Sequence, residues 1–239
     1  GGMDLQFPHH ENEIAQSEAA TGQKFVNVWM HNGFVRINEE KMSKSLGNFF
    51  TVREVLERYR PEVIRFFILS SQYRSPLNYS DESLDEASAA LRRLYTALRD
   101  LSDAPETELA QPFLNRFYEA MDDDFNTPVA VAVLFDLARE INRQKGENSE
   151  LAAGFAATLR RLGGLVGLLE SNPETFLKLS DGSSAQMGLM DYEIDQLIEE
   201  RIAARENKEW AEADRIRDQL KEQGVILEDV AGGTSWRRG

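Results

Sequence analysis

The chain contains no cysteine. That excludes a disulfide framework and any thiolate metal site built from this chain alone. It also lacks a run of about 18 apolar residues, the length a helix needs to span a bilayer, and a basic segment followed by an apolar one near its start. No membrane association and no secretion are therefore expected, and the cytoplasm is the expected location. Positive charge is scarce. With 27 Lys and Arg against 41 Asp and Glu the formal charge is -14, and the pI lies near 4.8. General sliding along nucleic acid needs clustered cations for the phosphates, so any nucleic-acid contact must use local patches. What is present is ordinary for a globular protein: 239 residues, 41% hydrophobic and 28% charged, enough for one large domain or two to three small ones.

The segment Gly1-Gly2-Met3-Asp4-Leu5-Gln6-Phe7-Pro8 has no initiator methionine at position 1 and runs at once into a dense motif, so a fragment is expected. Pro8 suits a first helical turn, and the pattern through Ala19 predicts a helix over 8–20, stopped at Thr21-Gly22. Phe25 to Met30 and Phe34 to Ile37 read as two strands joined by a tight turn at His31-Asn32-Gly33. Thr51 with Glu54 fits a capping box for a helix reaching about Tyr59, and Pro61 opens the next, with Val63, Phe66, Phe67 and Ile68 on its apolar side. Ser80 begins a long amphipathic helix through Leu84, Ala87, Leu91, Leu94 and Leu98. Residues 113–122, 127–145 and 150–169 repeat that behaviour, which predicts an antiparallel bundle. Asn172 to Gly188 is rich in Ser, Gly, Asp and Pro and reads as a linker. Beyond it, helices over 191–205 and 207–223 and strands over 225–228 and 234–237 predict a small α+β domain.

Two motifs carry chemistry. Lys41-Met42-Ser43-Lys44-Ser45 sets two ammonium groups three residues apart on a polar loop, able to sit beside adjacent phosphates as negative charge moves. A merely solvated loop has the same composition. In Pro8-His9-His10-Glu11-Asn12-Glu13, His9 and Glu13 lie four apart, so a helix places an imidazole and a carboxylate on one face, two of the ligands zinc needs. His10 and Glu13, three apart, offer the same pairing, and an exposed helix start is the plain alternative.

Taken with Trp29-Met30-His31, with Leu46-Gly47-Asn48-Phe49 after the lysine loop, with Tyr73-Arg74-Ser75-Pro76-Leu77-Asn78-Tyr79-Ser80, with Met121-Asp122-Asp123-Asp124-Phe125-Asn126-Thr127-Pro128 and with Gly233-Thr234-Ser235-Trp236-Arg237-Arg238, these motifs resemble the second half of the cysteinyl-tRNA synthetase family, which belongs to the class I aminoacyl-tRNA synthetases. The resemblance spans essentially the whole chain. It implies a mainly α protein with small β elements. These would be the end of a Rossmann-type catalytic domain (1–33), a connecting fold with the lysine loop (34–76), a helical-bundle tRNA-binding domain (77–171), a linker (172–188) and a small anticodon-binding domain (189–239).

The implied activity is ATP-dependent ligation of L-cysteine to its tRNA through a cysteinyl adenylate. Lys41 and Lys44 would be catalytic and Lys41 through Ser45 would bind ATP, with magnesium. His9 and Glu13 would ligate zinc together with two cysteines absent from this chain. Zinc favours a thiolate over a hydroxyl and would select cysteine over serine. Arg205, Asp214, Asp229 and Trp236 would contact the tRNA anticodon by hydrogen bonding and stacking, although each also fits an ordinary surface charge or, for Trp236, a core anchor. A monomer is expected, and the chain alone is expected to bind tRNA without forming adenylate. From Val35 to Arg74 eight basic residues face five acidic ones, a local patch that suits RNA. The alternatives are a related ligase that joins cysteine to a glucosaminyl-inositol, which would not need residues 189–239, and a non-catalytic tRNA-binding module.

Overall fold

The computed structural model describes residues 1–37, 40–41, 51–178, 189, 191–230 and 233–238. The chain opens with a 3₁₀ turn at Met3–Leu5 and a π-helical turn at Gln6–His10 that runs into α1, Glu11–Thr21. Gly22, at φ 66°, stops α1 by donating its N–H to Glu18 O at 2.8 Å, the left-handed cap expected at Thr21-Gly22. No residue of α1 is buried.

Three short strands follow, β1 (Val35–Ile37), β2 (Glu40–Lys41) and β3 (Leu77–Tyr79), in the order β2-β1-β3, with β1–β2 antiparallel and β1–β3 parallel. The strand expected over Phe25–Met30 does not form. That segment is irregular, no strand lies beside it among the described residues, and Phe25, Val28 and Met30 stay exposed. Nor is His31-Asn32-Gly33 a hairpin turn, since Asn32 makes a parallel bridge to Gly2 and Gly33 donates its N–H to Tyr73 O at 2.8 Å. A Cβ on Gly33 would sit 2.3 Å from Ser75 O, so this crossing of two backbones requires glycine.

Between β2 and β3 lie α2 (Val52–Leu56) and α3 (Pro61–Leu69). The Thr51/Glu54 capping box is present in full, and Pro61 occupies the first turn of α3. Val63 and Phe66 are buried, whereas Ile68 is 52% exposed and leaves the apolar face assigned to it. The bundle comprises α4 (Asp81–Leu98), α5 (Gln111–Asp122), α6 (Thr127–Lys145) and α7 (Ser149–Leu165), with α6 packed against the other three and α3 laid on α4. Its core takes in the expected Leu84, Leu91, Leu94, Leu98, Leu134, Leu137 and Ile141, all buried. Helix α7 ends four residues earlier than its pattern suggests. Gly167 at φ 71° lets Leu168 N–H reach Gly163 O at 2.9 Å in a Schellman turn, which folds Leu168 and Leu169 back into the core.

The expected linker begins with structure instead: Pro173–Lys178 form a short helix, α8, whose Phe176 and Leu177 are 1% and 0% exposed. Two large apolar side chains outweigh the loop-like composition around them. Residues 179–188 lie outside the described residues. The final unit is α9 (Asp191–Glu206), α10 (Trp210–Glu222) and an antiparallel hairpin, β4 (Val225–Val230) with β5 (Gly233–Arg238). It has its own core of Ile194, Ile198, Ile216, Leu220, Val225 and Trp236. Among the described residues no helix is long and apolar enough to cross a membrane.

Candidate functional site

The helical start at Gln6–His10 separates the two histidines. His10 Nδ1 lies 2.9 Å from His31 Nε2, and its ring stacks on Trp29 with centroids 4.8 Å apart. Partial burial, followed by the neighbouring His10, holds His31 below the usual histidine pKa. His10 is thus committed to an aromatic cluster with Trp29 and His31. His9 and Glu13 are both exposed, four residues apart across the junction of the π-helical turn and α1. Of the two pairings open in the sequence, His9 with Glu13 leaves both side chains facing outward. Zinc prefers four ligands in a closed site. Among the described residues no group of three or more His, Cys, Asp or Glu could hold a metal, and His9 and Glu13 by themselves supply at most two donors.

Lys41 ends β2, and its backbone pairs with Arg36 of β1. Met42, Ser43, Lys44 and Ser45 lie outside the described residues. The sheet that carries Lys41 reaches the bundle through β3 and the segment before it. Asp124 accepts hydrogen bonds from Tyr73 Oη at 2.8 Å and from Arg74 Nε at 2.6 Å and Nη2 at 3.2 Å, while its carbonyl accepts from Gln72 Nε2 at 3.3 Å. Thr127 Oγ1 donates to Ser71 O at 3.3 Å in the same seam. The Arg74 guanidinium first, and the Tyr73 hydroxyl second, hold the Asp124 carboxyl below its ordinary range. The sequence motifs around 73–80 and 121–128 are therefore two halves of one contact. Their spacing of about fifty residues hides this from any reading of local pattern.

The four residues assigned to the anticodon fare differently. Arg205 is exposed near the end of α9, and Asp214 is exposed on α10 with Arg217 Nη1 at 2.9 Å. Asp229 stands opposite Thr234 in the hairpin, its side chain outside the described residues. Trp236 does not match the stacking role: it is 2% exposed and its Nε1 donates to Asp195 Oδ1 at 2.7 Å. An indole enclosed in a core has no face left for a base, so Trp236 is the anchor of the small domain. Its position opposite Leu227 in the ladder puts it on the inner side of the hairpin.

Sequence reasoning missed two buried arginines, Arg92 on α4 and Arg99 at the extended residue that caps its C-terminal end. They are 7% and 3% exposed and lie seven residues apart, about two helical turns. A cation repeating with the apolar period of an amphipathic helix is the signal that could have revealed them.

Comparison with known proteins gives the geometry its setting. Residues 1–89 match the family model described as tRNA synthetases class I (C) catalytic domain, residues 116–170 match the DALR domain, and residues 188–237 match the cysteinyl-tRNA ligase anticodon binding domain. The cysteine–tRNA ligase of Methylococcus capsulatus is 66% identical over 244 residues that cover 100% of this chain and 51% of the relative. That of Thioalkalivibrio sulfidiphilus is 64% identical over 239 residues, again 100% and 51%. The chain spans about half the length of the curated relatives it matches. Among solved structures, the agnB2 LeuRS of Agrobacterium radiobacter K84, in a ternary complex with tRNA and LeuAMS, shares the fold, with a TM-score of 0.59 at 17% identity, covering 100% of this chain and 31% of that one. Three matches in order along the sequence, with such identity throughout, establish that the chain belongs to the cysteine–tRNA ligase family.

Proposed function

We propose that the chain serves the ATP-dependent ligation of L-cysteine to cysteine tRNA through a cysteinyl adenylate. The observation that carries this reading is the identity of 56–66% to cysteine–tRNA ligases over the full length of the chain. The match of residues 188–237 to an anticodon binding domain favours tRNA over a glucosaminyl-inositol as the acceptor. In this reading Lys41 and Lys44 neutralise charge that develops on the departing pyrophosphate, Met42, Ser43 and Ser45 complete the ATP loop, and magnesium, when bound with ATP, would supply further positive charge. Zinc, when bound, would supply a Lewis acid for the substrate thiolate, held by His9 and Glu13 and by ligands from the part of the relatives that this chain does not cover. Arg205, Asp214 and Asp229 contact the anticodon, and Trp236 holds the hairpin beneath them. The reading includes a monomer at work in the cytoplasm, and a chain that alone binds tRNA but makes no adenylate.

A titration of this chain with cysteine tRNA and with a non-cognate tRNA, repeated over several salt concentrations, tests the reading. Tighter binding of the cognate tRNA, weakening as salt rises, is expected. Equal affinity for the two would overturn it.

A further inference from the structure

The small domain meets the bundle through Arg92 of α4 and Arg99, the residue that caps its C-terminal end. Arg99 Nε donates to Glu174 Oε1 at 2.5 Å, Nη1 to Glu228, and Nη2 to the Ser235 hydroxyl. Arg92 Nη2 donates to Leu177 O at 2.5 Å and to Arg238 O at 2.6 Å. Each arginine therefore ties α4 at once to α8 and to the terminal hairpin. Arg238 answers with Nε on Lys178 O at 3.1 Å and Nη2 on Leu189 O at 2.6 Å. Lys145 Nζ, on α6, donates to Arg99 O at 2.6 Å and so fixes the end of α4 from the other side.

The geometry points to Arg99 as the positioning residue for anticodon recognition. Glu228 and Ser235 face each other in the β4–β5 ladder, so one guanidinium grips both strands at a single rung. The next rung is Asp229 opposite Thr234. Glu228 gives one carboxylate oxygen to Arg99 and the other to Arg237 Nε at 2.7 Å, which leaves its rotation little freedom. A buried ion pair adds little net stability over an apolar contact of the same shape, because removing the charges from water offsets most of the attraction. A planar fork of donors aimed at three acceptors instead supplies direction. What Arg99 fixes is the orientation of the hairpin, and with it Asp229, relative to the bundle. The tRNA part of this inference rests on the function proposed above.

The test compares full-chain wild type with Arg99→Lys and Glu228→Gln by two readouts, backbone hydrogen exchange and the preference for cysteine tRNA over a non-cognate tRNA. Lysine keeps the charge but cannot reach acceptors on two elements together, and glutamine keeps the shape of Glu228 while removing its charge. In both variants exchange should quicken in residues 225–238 and stay unchanged in α5–α7, and the cognate preference should fall about tenfold, as expected when a binding element must be ordered on association. Unchanged exchange at the hairpin, or equal acceleration throughout the chain in both variants, overturns the positioning role. A loosened hairpin with the cognate preference intact also overturns it. A wild type with no cognate preference defeats the proposed function instead, while the exchange data still decide whether Arg99 sets the hairpin.

Discussion

The helical bundle has a joint at each end, and the two are built from opposite materials. At the lysine-loop end the Arg74–Asp124 pair is exposed, with side-chain exposures of 53% and 47%. At the small-domain end the Arg99 side chain is only 3% exposed, while its partners Glu174 and Glu228 keep 45% and 32%, so the contrast lies in the guanidinium. Exposed ion pairs contribute little and weaken with salt, whereas breaking a buried one leaves an uncompensated charge in a dry place. The first joint is also bent on a costly turn. Asp124 and Phe125 are consecutive non-glycine residues at φ 53° and 54°, the left-handed region that costs roughly 1–2 kcal/mol per residue. The difference teaches that the bundle holds the small domain, which keeps its own core, by a buried guanidinium, and holds the sheet carrying Lys41 by a surface seam that ionic conditions can loosen.

The largest effect is expected from Phe176→Ala, which attacks the buried joint at its apolar wedge. The Phe176 ring stacks on Tyr95 with centroids 3.8 Å apart, and the Arg60 guanidinium carbon lies 3.5 Å from its centroid. Truncating so enclosed a ring costs about 3–5 kcal/mol, to be read as the fall in unfolding free energy in urea at neutral pH. A loss below about 1 kcal/mol would mean that α8 is dispensable and that the contrast between the joints is false.

A second test uses Glu62, which lies under the same wedge and accepts from Tyr95 Oη at 2.9 Å and Leu169 N at 2.6 Å. Burial raises its pKa above the ordinary 4.5, against the lowering by Leu169 N–H and Tyr95. The Glu62 contribution is thus fully present below the unfolded value and is lost as pH rises through the higher folded one. The difference in unfolding free energy between wild type and Glu62→Gln should therefore shift in favour of the glutamine variant from pH 4 to 7. A difference that is flat over that interval would show Glu62 ionising as if in water.

Most of the fold could be read from the chain because its signals are local. The Thr51/Glu54 box, Pro61, the Ser80 cap and the three-and-four spacing of α4 and α6 each fix an element from a few neighbouring residues. The failures share a cause. Phe25–Met30 has strand-like side chains, but a strand needs a neighbour, and whether one exists is not written in the six residues themselves. Helix α8 was hidden because Ser, Gly and Pro dominate its surroundings while two side chains, Phe176 and Leu177, decide its fate. Of the candidate site, the motif residues His9, Glu13 and Lys41 were legible as residue types at a spacing. The clasp of Arg92 and Arg99 was not, because its acceptors lie 75 to 146 residues away.

The smallest effect on stability, and the sharpest on the comparison, is expected from Asp124→Asn. Asparagine tolerates the left-handed backbone at this position as well as aspartate does, so the turn is kept and only the charge is removed. The Asp124 pKa lies below its ordinary 3.8 because of Arg74 and then Tyr73. Its contribution is therefore present above that value and is lost as pH falls through the lower folded one, a sign opposite to that of Glu62. The variant should unfold at a slightly lower temperature than wild type at neutral pH in low salt, and the gap should close both in acid below the ordinary aspartate value and in molar salt. The melting-temperature difference, followed along both axes, checks it. If the gap survives molar salt, or approaches that of Phe176→Ala, the lysine-loop joint is not a screened surface seam, and the two ends of the bundle are fastened alike.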